Sequence, residues 1–256
     1  MVRPGTGLRV LQVHNRYVLA SGEDRIVDLE RRLLEDAGHE VARVEGSNTG
    51  SVAHAAGSLA VAPWNPLGAA AVRRAVERFR PDVAHVHNTW FALSPSVLRP
   101  LRQARVPVVA TLHSYRLHCI DSTLFRDGSV CRDCLGRAPI PGVRHRCYRG
   151  SAVASAVAAV TIGSHRALRT WQRGVDLFVA LSEASKAEHV AGGLDPASVV
   201  VEPHAVEDPG ERHAPPSASR TFAFVGRLIP AKGVDVLADA WERADVAAEL
   251  GAAGEG

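Results

Sequence analysis

Lysine is nearly missing from this sequence: of 30 basic residues, only Lys186 and Lys232 are lysines and the rest are arginine. With alanine abundant, this reads as coding bias rather than selection for a ligand. It also makes each lysine more noticeable where it stands. A strong excess of one charge is missing too. The formal net charge is +3, which is too little to argue for nucleic acid, and basic residues do not interleave with aromatic ones. No apolar run is long. The longest weakly polar stretch, residues 152–163, falls well short of the roughly 20 residues that span a bilayer. The opening MVRPGTGLRVLQVHN lacks a signal-type apolar run and leads directly into a strand. A cytoplasmic location is therefore expected, where disulfides do not persist, so the four cysteines need another explanation. No carboxylate pair suggests glycoside hydrolysis.

What remains is ample for a packed core. Of the 256 residues, 46% are hydrophobic and 22% charged, close to a globular average. Strand and helix signals alternate. Residues 8–14, 40–44, 82–87, 106–113, 176–181 and 199–203 are predicted as strands, with helices over 21–37, 65–79, 94–104, 151–173 and 182–190. Ser21 and Asp24 make a capping-box-like start and Gly38 a stop, while Asn65-Pro66 starts the next helix as cap and first turn. Near-continuous apolar strands joined by helices predict an α/β fold with a parallel sheet covered on both faces. Residues 47–63 are expected to be loop-like, and residues 114–150 irregular with little apolar content. Residues 207–220, rich in Pro, Ser and charge, read as an interdomain linker. A new strand over 221–228, a helix over 234–243 and a last strand near 246–253 follow.

One stretch narrows the reading. Gly226-Arg227-Leu228-Ile229-Pro230-Ala231-Lys232-Gly233, with Leu237 and Ala240 after it, resembles the G-R-L-x-x-x-K-G-x-x-x-L-x-x-A segment of retaining glycosyltransferase family 4. That family has the GT-B fold of two Rossmann-like domains. The N-terminal half is similar to the same family in order. VLQVHNRY with SGED resembles its first strand and Gly-rich turn, PDVAHVHN its P-D-x-x-H-x-H strand, and VVATLHSYRL its T-x-H-D strand end. The closing Ala253-Gly254-Glu255-Gly256 resembles its A-G-x-G-P. The chain departs from the pattern in three places. Ser21 stands where the first Gly of the turn usually lies. Pro203-His204-Ala205-Val206 replaces P-N-G-V. The downstream paired-Glu donor motif does not occur.

The resemblance implies transfer of a hexosyl-type sugar from a nucleoside-diphosphate sugar to an acceptor hydroxyl, with retention of anomeric configuration. The acceptor would be a glycan, glycolipid or small molecule. The leaving diphosphate is thought to take the acceptor proton, so no protein base, D-x-D motif or catalytic cofactor is required. Arg227 and Lys232 suit the charge that grows on that diphosphate. Gly226 and Gly233 would let backbone approach the phosphates, and Ser21 and Gly22 open a helix whose N–H groups favour anions. His113, at a strand end, is expected to contact the donor sugar, making His113, Arg227 and Lys232 the catalytic candidates. His14, Asn15, His87 and Asn88 also end strands and are acceptor-cleft candidates.

Cys119, Cys131, Cys134 and Cys147 read in two ways. A C-x-x-C knuckle with two outlying cysteines can close a tetrahedral, purely structural zinc site, with His118 and His145 in reserve. The alternative is four unlinked thiols. The basic run RHRCYRG at 144–150, with Arg166, Arg169 and Arg173, suits a solvated face or peripheral contact with anionic lipid at the inner membrane face.

The resulting division is an acceptor-side Rossmann-like domain over 1–206 with a Cys-rich insertion at 114–150, a linker over 207–220, and the start of a nucleotide-sugar-binding domain over 221–256, truncated. On that expectation the chain alone turns over donor poorly. A catalytically inactive binding module is the rival reading; a zinc-stabilised nucleic-acid binder is disfavoured by the low charge.

Overall fold

The structure is a computed structural model that describes residues 7–17, 22–48, 57, 59–208, 210–211, 215–229, 232–244 and 247–254. The chain divides into two compact units, Met1–Val206 and Glu207–Gly256.

The first unit is built on a six-stranded sheet, all parallel. Its strands are β1 (Arg9–Arg16), β2 (Glu40–Ser47), β3 (Val83–Val86), β4 (Val108–Leu112), β7 (Leu177–Ala180) and β8 (Val199–Val201), in the order β2-β1-β3-β4-β7-β8. The helices between them are α1 (Gly22–Asp36), α2 (Pro66–Phe79), α3 (Leu98–Gln103), α5 (Ala152–Ala167), α6 (Thr170–Gly174) and α7 (Glu183–Ala191). The predicted strand–helix alternation is present, but β1 and β2 run two or three residues further than predicted, the other four strands are two or three residues shorter, and the helix predicted over 151–173 is two helices, α5 and α6. Side chains also start the elements as expected. Asn65 accepts from the amides of Leu67 and Gly68 at the start of α2, and Ser182 accepts from Ser185 N at the start of α7. Asp82 and Asp176 accept from Arg9 N and Val108 N, each at 2.8 Å, tying the strand starts together. Ser21 lies outside the described residues.

The strands are less uniformly apolar than predicted, and the reason is a division between faces. Successive side chains point to opposite sides of a strand. Leu11 and Val13 of β1, Ala84 and Val86 of β3, and Ala110 and Leu112 of β4 join one core with Val72, Leu98, Leu101 and Phe178. The alternate residues, in register across the sheet, are Arg43, Gln12 and His85, then Glu45 and His14. They meet α1: Gln12 and Arg43 reach Val27 O, and His14 reaches Asp24. This face is polar: Gln12 and His14 are buried, Arg43 and His85 partly so, and Glu45 at its edge is exposed.

The insertion is also more ordered than predicted. It holds a hairpin, β5 (Phe125–Arg126) with β6 (Ser129–Val130), and a short helix α4 (Ile140–Arg144). Ile120 and Tyr148 bury against Trp90, Phe91, Ala158 and Ile162 in a second apolar cluster. The segment's few apolar residues suffice because they borrow partners from α5 and the loop after β3. The expected loop at 47–63 also takes part: Ala62 packs into this cluster, while residues 49–56 and 58 lie outside the described residues.

In the second unit β9 (Thr221–Val225) and β10 (Glu249–Ala253) form a parallel pair, with α8 (Val234–Arg243) between them in sequence. Among the described residues, no helix is long and apolar enough to cross a membrane.

Candidate functional site

The chain runs from β1 outward to β2 and then returns to β3 on the other side of β1. Such a reversal leaves a crevice at the carboxyl ends of the strands, the usual place for a ligand in open α/β sheets. A cleft opens there, lined by His87, Asn88, Trp90, His113 and Arg116, with Ile162, Trp171 and Leu194 among its apolar walls.

The strand ends are cross-tied. Asn15 N donates to Asn88 O at 2.8 Å, and Asn88 Nδ2 donates back to Asn15 O at 3.0 Å. Asn88 Oδ1 also accepts from Trp90 N at 2.8 Å. Asn15 and His14 are fully buried and are not among the cleft-lining residues. His14 Nε2 lies 2.7 Å from Asp24 Oδ1. The structure thus places His87, Asn88 and His113 at the cleft, with His14 and Asn15 beneath it.

A row of imidazoles crosses the site. His87 Nδ1 is 3.1 Å from His113 Nε2, and the His113 ring stacks on His204 with centroids 5.1 Å apart. Burial is the main cause that pushes His87 well below its ordinary value and His113 down to about 3, with like charge on neighbouring histidines adding to it. Both rings are therefore neutral, and each nitrogen either donates or accepts according to tautomer. His113 Nδ1 is buried without a hydrogen-bond partner, so it is available to a ligand.

Tyr17, Glu23 and Arg116 at the cleft, and His204 beside His113, were not picked out from the sequence. Arg116 lies with its guanidinium carbon 5.0 Å from the Trp90 ring centroid and 5.3 Å from that of Tyr148. It donates to Ile120 O and Ser122 Oγ. Glu23 is raised to about 7, chiefly by burial, and accepts from Tyr17 OH at 3.1 Å. His204 occupies the position where the sequence departs from P-N-G-V. That departure was the one available signal; the other three depend on tertiary contacts.

In the second unit, Gly226 follows β9 and its amide donates to Ala253 O at 3.0 Å. A Cβ on Gly254 would fall 1.7 Å from Gly226 O, so only glycine fits beside this turn. Arg227 and Lys232 are both exposed. Gly233, at φ +69°, precedes α8, a backbone conformation that glycine adopts without strain.

The four cysteines are all free. Cys134 is pushed up by burial and by the other three thiols, which places the four in one neighbourhood. Among the described residues, however, the group of three His, Cys, Asp or Glu ligand atoms lying mutually within 4.8 Å is Glu30, His85 and His87, not the thiols. Arg166 is spent on the carbonyls of Arg137 and Cys134.

Residues 22–208 match the model of Glycosyltransferase Family 4. The chain belongs to that family. The family match and the fold confirm a GT-B-type, Rossmann-like α/β architecture. No curated protein sequence matches the chain. Among solved structures, the apo form of the lipopolysaccharide outer core galactosyltransferase WaaB is similar at 13% identity and a TM-score of 0.50, covering 97% of this chain and 61% of WaaB. Anabaena Alr3699/HepE, solved in complex with UDP, is similar at 17% identity and a TM-score of 0.49, covering 96% of this chain and 62% of HepE. The family 4 chain thus spans about three fifths of the length of these structures.

Proposed function

We propose that this family 4 chain takes part in moving a sugar from a nucleoside-diphosphate sugar to an acceptor hydroxyl, with retention at the anomeric carbon, in glycan or glycolipid synthesis. The observation that carries the reading is the cleft at the carboxyl ends of β1, β3 and β4, in the region that matches the family model. In this reading the cleft receives the acceptor and His113 holds sugar hydroxyls through Nδ1. Arg227 and Lys232 grip the diphosphate. Both cations are exposed, and Arg can hold two phosphate oxygens at once. As the sugar–phosphate bond breaks, negative charge grows on the leaving oxygen, which takes the acceptor proton. Fixed cations stabilise that state more than the ground state.

The test is sugar transfer from a panel of nucleoside-diphosphate sugars, read by mass spectrometry of the product. It is run on this chain alone and on the chain joined to a complete second domain. A glycosylated product from the joined protein supports the reading. No product from any donor, with folding intact, contradicts it and favours a binding module.

The four thiols are proposed to close on one structural zinc per chain. Their shared neighbourhood and the C-x-x-C spacing support this; side-chain rotation would have to bring the sulfurs together.

A further inference from the structure

We propose that Glu30, His85 and His87 form a binding site for one divalent transition-metal ion of the zinc class, between α1 and β3. His85 lies on β3 and His87 one residue past its end, where His87 N still bonds Val13 O, so the two side chains, two residues apart along extended chain, leave the same face. Glu30 comes down from α1 onto that face. Its Oε2 lies 3.4 Å from His87 Nε2 and 3.6 Å from His85 Nδ1. These separations are long for hydrogen bonds, and both Glu30 Oε2 and His87 Nε2 are buried without a hydrogen-bond partner. Leaving such atoms unpaired is costly.

A metal removes the cost. Zinc sits about 2.0–2.2 Å from imidazole nitrogen and carboxylate oxygen, so tetrahedral ligands stand roughly 3.3 Å apart. The two separations from Glu30 are close to that spacing, and all three ligand atoms lie within 4.8 Å of one another. The outer partners suit it as well. His85 Nε2 is 2.8 Å from Thr111 Oγ1, so Nε2–H can donate there and leave the Nδ1 lone pair for the ion. The His87 side chain is fully buried, while those of His85 and Glu30 are 19% and 24% exposed. That exposed edge gives the ion an entry path and leaves room for water as the fourth ligand.

The site bears on the cleft through tautomers. With His87 Nε2 on the ion, His87 Nδ1 carries the hydrogen and donates to His113 Nε2. His113 Nδ1, buried without a partner, must then be the protonated nitrogen, fixed as a donor. Metal binding itself does not depend on the sugar-transfer reading.

The experiment keeps this site apart from the thiols. Cys131→Ser/Cys134→Ser protein, stripped with chelator and dialysed, is titrated with Co2+ and then Zn2+ by calorimetry and visible absorption. The expected result is one ion per chain, with cobalt d–d bands and no thiolate charge-transfer band. Glu30→Gln in the same background should weaken Co2+ binding by roughly tenfold or more, the scale of losing even an outer-shell partner. His85→Asn is the second variant should Glu30→Gln fail to fold. No stoichiometric ion in the Cys-substituted protein would overturn the proposal. So would unchanged affinity in folded Glu30→Gln or His85→Asn.

Discussion

The two faces of the six-stranded sheet, one an apolar core and the other a partly buried polar layer, do different work. Toward α2 and α3 the strands offer Leu11, Val13, Val86 and Leu112 to a continuous apolar core with Phe178 and Leu101. Toward α1 the same strands offer Gln12, Arg43, His14, His85 and His87. An apolar face stabilises through the area it removes from water and requires little geometric precision. A buried polar face contributes little net stability and is expensive when incomplete. The first face makes the fold. The second carries defined donors and acceptors to the carboxyl ends of β1, β3 and β4, where the cleft lies.

That contrast can be broken most forcefully on the apolar side. Phe178 is 1% exposed in the centre of the core. Phe178→Ala should cost about 3–5 kcal/mol, read as a lower urea midpoint at unchanged slope. A loss below about 1 kcal/mol would mean that this face is not what holds the sheet.

Next in size is the charged turn of the second unit, far from either face in sequence. Arg227→Ala and Lys232→Ala, in the chain joined to a complete second domain, should each slow transfer by about 3 kcal/mol, roughly a hundredfold. Acceptor affinity should hardly change. Steady-state kinetics with each substrate varied, and calorimetry with nucleoside diphosphate, check this. Turnover and diphosphate affinity near wild type would remove the phosphate-grip assignment.

The polar face should reveal itself through pH. Burial holds His85 near 4, His113 near 3, His118 near 3, His189 near 4 and His87 well below its ordinary value. Unfolded, each returns to 6.5. As pH falls below about 6.5, the unfolded chain binds protons that the folded chain refuses, so stability falls toward pH 4. Glu23 and Glu30, raised to about 7 from 4.5, act oppositely. Their stabilising contribution is full below 4.5 and is lost as pH rises through 7. The five histidines outweigh the two carboxyls below 6.5. Urea unfolding of chelator-stripped, metal-free protein should therefore show stability rising between pH 4.5 and 6.5, on the order of 2 kcal/mol per pH unit, and slipping slightly just above. A flat profile would mean that the polar face and the His118–His189 pair are hydrated rather than buried.

The smallest effect concerns the insertion. Elemental analysis of protein purified without chelator should find about one zinc per chain more in wild type than in Cys131→Ser/Cys134→Ser, the Glu30 site being common to both. Because the second apolar cluster already orders the insertion, the unfolding midpoint of the first unit should move little. Protein in which the thiols hold no metal would leave four unlinked cysteines.

Much of this was legible in the sequence. Helix starts at Asn65 and Ser182, the strand–helix alternation and the α/β class follow from local chemistry, and the GRL…KG segment led to the family. The polar face was not legible. Gln12, His14, His85 and His87 interrupt apolar strands in a pattern that also fits strands facing water, and only the position of α1 shows that they are buried. The insertion's order was missed because Ile120 and Tyr148 find their partners in Trp90, Phe91 and Ile162, far away in sequence. Glu30 could not be joined to His85 and His87 from spacing alone, since a helix and a strand more than fifty residues apart must first be packed.

The central claim is that the polar ends of the strands serve sugar transfer. It is tested most directly by donor-dependent nucleoside diphosphate release from wild type and His113→Ala, each joined to a complete second domain, with the unfolding midpoint measured alongside. The account predicts release by wild type and a fall of roughly tenfold or more in His113→Ala, with the midpoint nearly unmoved. Undiminished release in His113→Ala, or no release by wild type from any nucleoside-diphosphate sugar, would contradict it.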